Sequence, residues 1–200
     1  MITNNDAKDF ARLENYFDVI VVDAPCSGSG LFRKDPEAIA EWSLQNVELC
    51  AQRHKRILAD SYTSLKQNGI LIYCTCSYSM EEDEDILDWI QDSFEVRSLK
   101  IDIKPEWQII ETASKKYSLQ GYRFYPDKLK GEGFFIAAIE KLDGSIENAS
   151  YKNINLNRPG KNELEMVKRW IKSDADVAIL KHEESAIGIP YALEREIPIL

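Results

Sequence analysis

Two short aliphatic runs constrain this chain more than any other feature: Phe17-Asp18-Val19-Ile20-Val21-Val22-Asp23 and Ile70-Leu71-Ile72-Tyr73-Cys74-Thr75-Cys76. Both are rich in β-branched residues, and neither keeps up the polar alternation of a half-exposed strand. Each therefore reads as a strand buried on both faces, as in a parallel sheet. Between them, Asp35-Pro36 gives an N-cap followed by proline in the first helical turn. Ile39, Trp42, Leu49, Ile57, Leu58 and Leu65 recur at helical spacing, in two pieces, until Asn68-Gly69 stops the pattern. Strand, helix, strand implies a parallel pair joined by a crossover. Further on, Ser79-Met80-Glu81-Glu82 matches a capping box, and the helix it opens carries Ile86, Leu87 and Ile90. Phe94 to Leu99 and Phe134 to Ile139 are two more strand candidates, and residues 101–132 read as loop.

In open α/β sheets, ligands bind beyond the carboxyl ends of the strands. Asp23-Ala24-Pro25-Cys26 leaves the first strand and Thr75-Cys76-Ser77 leaves the second. If these two strands are neighbours, their ends lie roughly 5 Å apart, and two cysteines and a carboxylate would converge on one pocket. Cys74 and Cys50 read as small buried hydrophobes. Cys76 stands apart, at a strand exit beside a helix N-terminus, a setting that can activate a thiol. Gly28 and Gly30 suggest a tight turn.

Composition excludes little. The chain has 200 residues, 44% hydrophobic and 30% charged, and carries a formal net charge of −9. That balance argues against a uniformly basic nucleic-acid binder. Acidic residues crowd positions 81–92, however, whereas Lys115, Lys116, Arg123, Lys128 and Lys130 cluster elsewhere, so one basic groove remains open. No run approaches the roughly 18 apolar residues of a membrane span, and the N-terminus has no signal-peptide pattern; no membrane association and a cytoplasmic location are expected. Four cysteines could make two disulfides by number, but without an export signal free or catalytic thiols are expected. There is no C-x-x-C pair, and His54 and His182 stand in no ligand spacing, so no metal is expected.

Together, Phe-Asp-Val-Ile-Val-Val-Asp-Ala-Pro-Cys-Ser-Gly-Ser-Gly and the downstream Cys-Thr-Cys-Ser resemble the Sun/RsmB/RsmF family of RNA cytosine-5 methyltransferases. Gly131-Glu132-Gly133-Phe134-Phe135 looks like a third family signature, and Asn4-Asn5-Asp6 through Phe10 like the stretch preceding the first. The resemblance covers about residues 1–141. It implies an α/β fold, namely the latter half (strands 4-5-7-6) of a Rossmann-like class I methyltransferase sheet. The start of a small α+β C-terminal domain would follow, giving residues 1–142 as catalytic domain, 143–160 as linker and 161–200 as the beginning of an RNA-binding domain. The first strand would then be an exposed edge, and an upstream half of the same domain, with its glycine-rich cofactor loop, is an expected partner.

The resemblance also implies S-adenosylmethionine as cofactor and RNA as substrate, ribosomal RNA ahead of transfer RNA. Cys76 becomes the nucleophile, Cys26 the thiol that assists breakdown of the adduct, and Asp23 the carboxylate beside the methyl donor and the base. Asp6, Asp23 and Pro25 would bind cofactor; Ser27, Arg33 and Lys34 would meet RNA. Asp6 as a plain turn residue, and Arg33-Lys34 as a solvated pair, stay open. Tyr125-Pro126-Asp127 departs from the family's proline-histidine. Two other readings remain: a non-catalytic RNA-binding fragment, and a DNA or amino-group methyltransferase, which the cysteine pair disfavours.

Overall fold

The computed structural model describes residues 4–144, 157–172 and 176–194, and divides into two units, 1–149 and 150–200. The first unit is a mixed α/β fold around a six-stranded sheet. Strand β1 (Phe17–Asp23) lies parallel to β2 (Leu65–Thr75), from Phe17 opposite Leu65 to Asp23 opposite Cys74. The connection between them holds helices α1 (Pro36–Glu41) and α2 (Leu44–Tyr62). Asp35 caps α1, its side chain accepting from the Glu37 amide, and the Ser43 hydroxyl accepts from the Asn46 amide to cap α2. Along α2 the buried residues Val47, Ala51, His54, Leu58 and Tyr62 return every three or four positions, one continuous face.

The helical spacing read as far as Leu65 ends at Tyr62. Leu65 already belongs to β2, and the Asn68-Gly69 stop signal lies inside that strand, Asn68 in the left-handed region (φ 62°). This is where the register slips, between Phe17 opposite Leu65 and Val19 opposite Ile70. An Asn-Gly pair that ends a helix in one context makes a strand irregularity in another, because both need the same positive φ.

Beyond β2, helix α3 (Glu84–Ser93) buries Ile86, Leu87 and Ile90 completely. Strand β3 (Val96–Leu99) follows, and β6 (Phe134–Lys141) inserts antiparallel between β2 and β3. The order β1-β2-β6-β3 is the expected 4-5-7-6. Residues read as loop contain two more strands, β4 (Ile110–Ala113) and β5 (Gln120–Phe124), an antiparallel pair. They share the outer edge of β6 with β3: β5 pairs with Phe134–Ile136, and β3 with Ala138–Lys141. Ile110-Glu111-Thr112-Ala113 and Gln120-Gly121-Tyr122-Arg123-Phe124 are short and largely polar, with no apolar run to mark them as strands.

Strand β1 is the edge strand that the resemblance implied, but it is not buried on both faces as its composition suggested. Only Val22 is buried, while Val19 and Val21 are 49% and 62% exposed. β1 pairs with β2 alone, and no strand among the described residues pairs with its other edge. A run apolar enough for a central strand sits at the sheet margin.

The second unit holds α4 (Lys161–Lys168) and the antiparallel hairpin of β7 (Val177–His182) and β8 (Ser185–Pro190), with Ala178, Leu180 and Ile189 as its small core. Much of the linker read at 143–160 lies outside the described residues.

Candidate active site

Because β1 and β2 are adjacent and parallel, the loops leaving them lie side by side. The Cα atoms of Cys26 and Cys76 are 6.3 Å apart and their sulfurs are joined in a disulfide. Free thiols were expected here; the pair is instead drawn together, because two loops 50 residues apart in sequence leave neighbouring strand ends. The other two cysteines are free. Cys74 is buried, its thiol directed at the Val22 carbonyl 3.4 Å away, and burial reinforced by the charge of Asp23 pushes its pKa up to about 11. Burial, with the charge of Glu82 next, also raises the Cys50 thiol. Neither environment favours a thiolate. Cys74 is buried as its reading as a small core residue requires, whereas Cys50 is only half-buried.

Three strand-end segments are sewn together around this pair. The Gly30 amide donates to the Cys76 carbonyl at 2.6 Å, and the Gly133 amide donates to the Gly30 carbonyl at 3.0 Å. The stretch Gly131–Phe135 thus forms the third wall of the site. Two further glycine-sized gaps explain its composition: a Cβ at Gly30 would stand 2.2 Å from the Cys76 carbonyl oxygen, and one at Gly133 would stand 2.2 Å from the Tyr78 hydroxyl.

Beneath the loops lies a buried polar layer that the sequence reading missed. Glu82, fully buried, accepts from the Ser27 amide (2.7 Å), the Ser27 hydroxyl (2.5 Å) and the Ser77 hydroxyl (2.6 Å). His54, also buried, uses Nε2 toward the Pro25 carbonyl (3.1 Å) and Nδ1 toward the Tyr73 hydroxyl (2.7 Å). A carbonyl can only accept, so Nε2 carries the proton in that contact. Burial lowers the pKa of His54. Arg123 closes the layer. Its guanidinium forks onto Glu84, meets Asp83 at 3.0 Å and donates to the Tyr78 carbonyl at 3.1 Å. Burial alone would raise Glu84, but the hydrogen bonds and charge of Arg123 outweigh it and hold that carboxyl below its ordinary value. Asp83 is pushed up to about 8, chiefly by burial, against the opposing pull of the Thr75 hydroxyl and Arg123.

This layer corrects two sequence assignments. The capping box at Ser79–Glu82 does not form: Ser79 makes no side-chain cap bond, residues 80–82 make a single 3-10 turn, and α3 begins only at Glu84. Glu82 is engaged by the cysteine loops instead. Arg123 belongs to no basic groove, and Lys116 pairs with Asp92 at 2.6 Å.

The remaining candidates fall as follows. Asp23 ends β1 beside Cys74 and is exposed. It lines a cleft of about 430 Å³ along β1, with Asn5, Phe10, Val21 and Ile57. Asp6 accepts from the Lys8 amide at 3.2 Å, capping a short 3-10 turn (Ala7–Phe10), and lies 3.6 Å from Arg56. Ser27 is committed to Glu82 through both its amide and its hydroxyl. Arg33 reaches back to the Gly131 carbonyl (2.6 Å), the Pro126 carbonyl (3.3 Å) and Glu132 (3.4 Å), while Lys34 is exposed. A second cleft, about 290 Å³, opens beside Cys26 and is lined by Gly28, Asp35, Asn46 and Cys50.

Residues 1–140 match the family model described as 16S rRNA methyltransferase RsmB/F. Among curated relatives, the ribosomal RNA small subunit methyltransferase F of Photobacterium profundum is 30% identical over 183 residues, 90% of this chain and 36% of that protein. The tRNA (cytosine(49)-C(5))-methyltransferase of Pyrococcus abyssi is 34% identical over 145 residues, 70% of this chain and 47% of that one. The chain therefore spans between a third and a half of the length of these relatives. Among solved structures, a methyltransferase homolog protein from Pyrococcus horikoshii superposes with a TM-score of 0.51 at 32% identity, covering 63% of this chain and 39% of the other.

Proposed function

Since the chain belongs to the 16S rRNA methyltransferase RsmB/F family, we propose that it carries the cytosine-handling site of an S-adenosylmethionine-dependent RNA cytosine-5 methyltransferase. The observation that carries this reading is the meeting of Cys26 and Cys76 at adjacent strand ends, with Asp23 on the same rim. Ribosomal RNA stands ahead of transfer RNA as substrate, because the family description and the Photobacterium relative both name the ribosomal small subunit.

The chemistry explains the residue types. Carbon 5 of cytosine is too weak a nucleophile to take a methyl group directly. The Cys76 thiolate adds to carbon 6, forming a C–S bond and leaving an enamine whose electron density lies at carbon 5. S-adenosylmethionine supplies the electrophilic methyl group. The apolar cleft along β1, ending at the Asp23 carboxylate, fits a ligand that is part apolar and part cationic; Asp23 and Pro25, with Asp6 nearby, would hold it. Asp23 also suits the amidine face of the base, where a carboxylate favours the protonated, activated ring. Once carbon 5 has been methylated a base takes its proton, the electrons of that C–H bond re-form the ring double bond, and Cys76 departs as thiolate; Cys26 assists this breakdown. The cleft beside Cys26, with Ser27 in its lining, is where the base would enter; Arg33 and Lys34, which lie outside that lining, would meet the RNA backbone. Both cysteines must be free thiols for this, the state that a reducing cytoplasm maintains.

The test uses RNA containing 5-fluorocytosine, whose fluorine cannot leave as the proton does, so the covalent adduct persists. With S-adenosylmethionine present, wild type and Cys26→Ser should give an RNA-linked band on a denaturing gel, and Cys76→Ser none. An adduct that survives Cys76→Ser but disappears with Cys26→Ser would reverse the two roles. No adduct from any variant, under reducing conditions, would sink the proposal for this chain.

A further inference from the structure

We propose that Glu82 is a positioning residue that clamps the two cysteine loops against each other, a role whose catalytic meaning rests on the methyltransferase reading above. Its carboxylate is the only group among the described residues that hydrogen-bonds side chains of both loops: Ser27, next to Cys26, and Ser77, next to Cys76. Three donors converge on one acceptor-only group at 2.5–2.7 Å, inside a region closed to solvent. The backbone of the same residue extends the clamp. The Tyr73 hydroxyl lies 2.5 Å from this carbonyl and 2.7 Å from His54 Nδ1, its single proton serving one acceptor at a time, and His54 Nε2 reaches the Pro25 carbonyl on the far side of the Cys26 loop.

Packing alone gives no reason for a carboxylate here. Burying one is costly unless every lone pair is matched, and an apolar residue could fill the same volume. The local sequence offers Glu82 an easier place at a helix start, which it gives up. What the carboxylate adds is direction: it fixes Ser27 and Ser77 relative to each other, and the thiols of their chain neighbours with them. The loops are also tied directly, by the Gly30 amide on the Cys76 carbonyl (2.6 Å) and the Tyr78 amide on the Ser29 hydroxyl (2.8 Å). Both ties lie beyond the cysteines, toward Gly30 and Tyr78. Glu82 fixes the residue next to each thiol, where small misplacements cost large factors in rate.

The test reads thiol proximity without needing RNA. The whole chain is equilibrated with reduced and oxidised glutathione. One molecule of glutathione disulfide converts the Cys26 and Cys76 thiols to a protein disulfide and leaves two molecules of glutathione thiol. The ratio at equilibrium, read by mass spectrometry after acid quench and peptide mapping, gives the effective concentration of one thiol at the other. Glu82→Ala should lower it at least tenfold, and Glu82→Gln, which keeps the shape and one acceptor, by less. Ile90→Ala removes core packing on α3 away from both loops; it should lower the melting temperature yet leave the effective concentration within twofold of wild type. If Glu82→Ala does not fold, Ser27→Ala combined with Ser77→Ala removes two of the three donors and should act in the same direction. A folded Glu82→Ala or double-serine variant within twofold of wild type overturns the inference, as does an equal fall in Ile90→Ala.

A second arm uses the 5-fluorocytosine RNA. Glu82→Ala should slow adduct formation at saturating RNA about tenfold or more, with the half-saturating RNA concentration unchanged. If the thiol measurement behaves as expected while wild type forms no adduct, the positioning role is supported and the methyltransferase reading is what fails.

Discussion

Gly28 and Gly30 stand two residues apart in the same loop, and the sequence alone treats them alike, as turn formers. The structure separates them. Gly28 has φ 80° and open space where a Cβ would go, so its cost is conformational. Gly30 has ordinary φ, but a Cβ there would meet the Cys76 and Gly133 carbonyl oxygens at 2.2 and 2.6 Å. Both obstacles are backbone and cannot rotate away. Gly28→Ala should therefore cost about 1 kcal/mol, the strain of a left-handed residue. Gly30→Ala should cost roughly 2–3 kcal/mol, at the upper end of ordinary overpacking, and should open the Cys26–Cys76 juxtaposition as well. Urea denaturation of the two variants checks the order; equal losses would mean that the third wall yields. The cysteines themselves were legible from sequence, because a thiol at a strand exit is a local pattern. The distant partners were not: Ser27 lies 55 positions from Glu82, and Cys76 and Gly133 lie 46 and 103 from Gly30, where no local spacing encodes them.

At the scale of elements, the start of α3 is where local signals and tertiary demands part. A capping box reads plainly at Ser79–Glu82, yet the chain uses Glu82, Asp83 and Glu84 as buried ligands for the loops, Thr75 and Arg123. Arg123 comes from β5, a strand the sequence did not reveal, so the acidic run looked like a solvated face. Two predictions belong here. Arg123→Met leaves Glu84 buried without its fork, and breaking such a pair costs about 3–5 kcal/mol; chemical denaturation should show it, and a loss below about 1 kcal/mol would mean water reaches Glu84. The second concerns Asp83, whose pKa is pushed up to about 8. A carboxyl that holds its proton more tightly folded than unfolded contributes stability that is complete below the unfolded pKa. That contribution is lost as pH rises through the folded pKa, here across about 4 to 8. Asp83→Asn keeps an acceptor for the Thr75 hydroxyl and cannot ionise. Its melting temperature minus that of wild type should thus become more positive from pH 5 to pH 9. Parallel curves would place the Asp83 charge beside Arg123 at every pH.

For the whole molecule, the parallel pairing and the site at the strand ends followed from two aliphatic runs and the loops after them, because these are rules of topology rather than of detail; the sheet order came only from the resemblance to the family. The edge position of β1 was what the resemblance implied; what its aliphatic run concealed is that Val19 and Val21 are exposed on a face as well. Val19 and Val21, on one face of it, together with an unpaired row of backbone groups, make the kind of margin that associates with other chains. The formal net charge of −9 opposes such contact at long range, but screening confines that repulsion to about 10 Å at 0.1 M salt. Self-association should therefore grow with both protein and salt concentration. Sedimentation velocity should show wild type shifting to faster species between low and high salt. Val21→Lys should remain at one sedimentation coefficient, because a lysine on an edge strand resists burial against a second sheet. A wild-type chain that stays monomeric throughout would mean that the twist and loops at this margin guard it without help from side-chain charge. Association that Val21→Lys leaves untouched would move the contact away from β1 altogether.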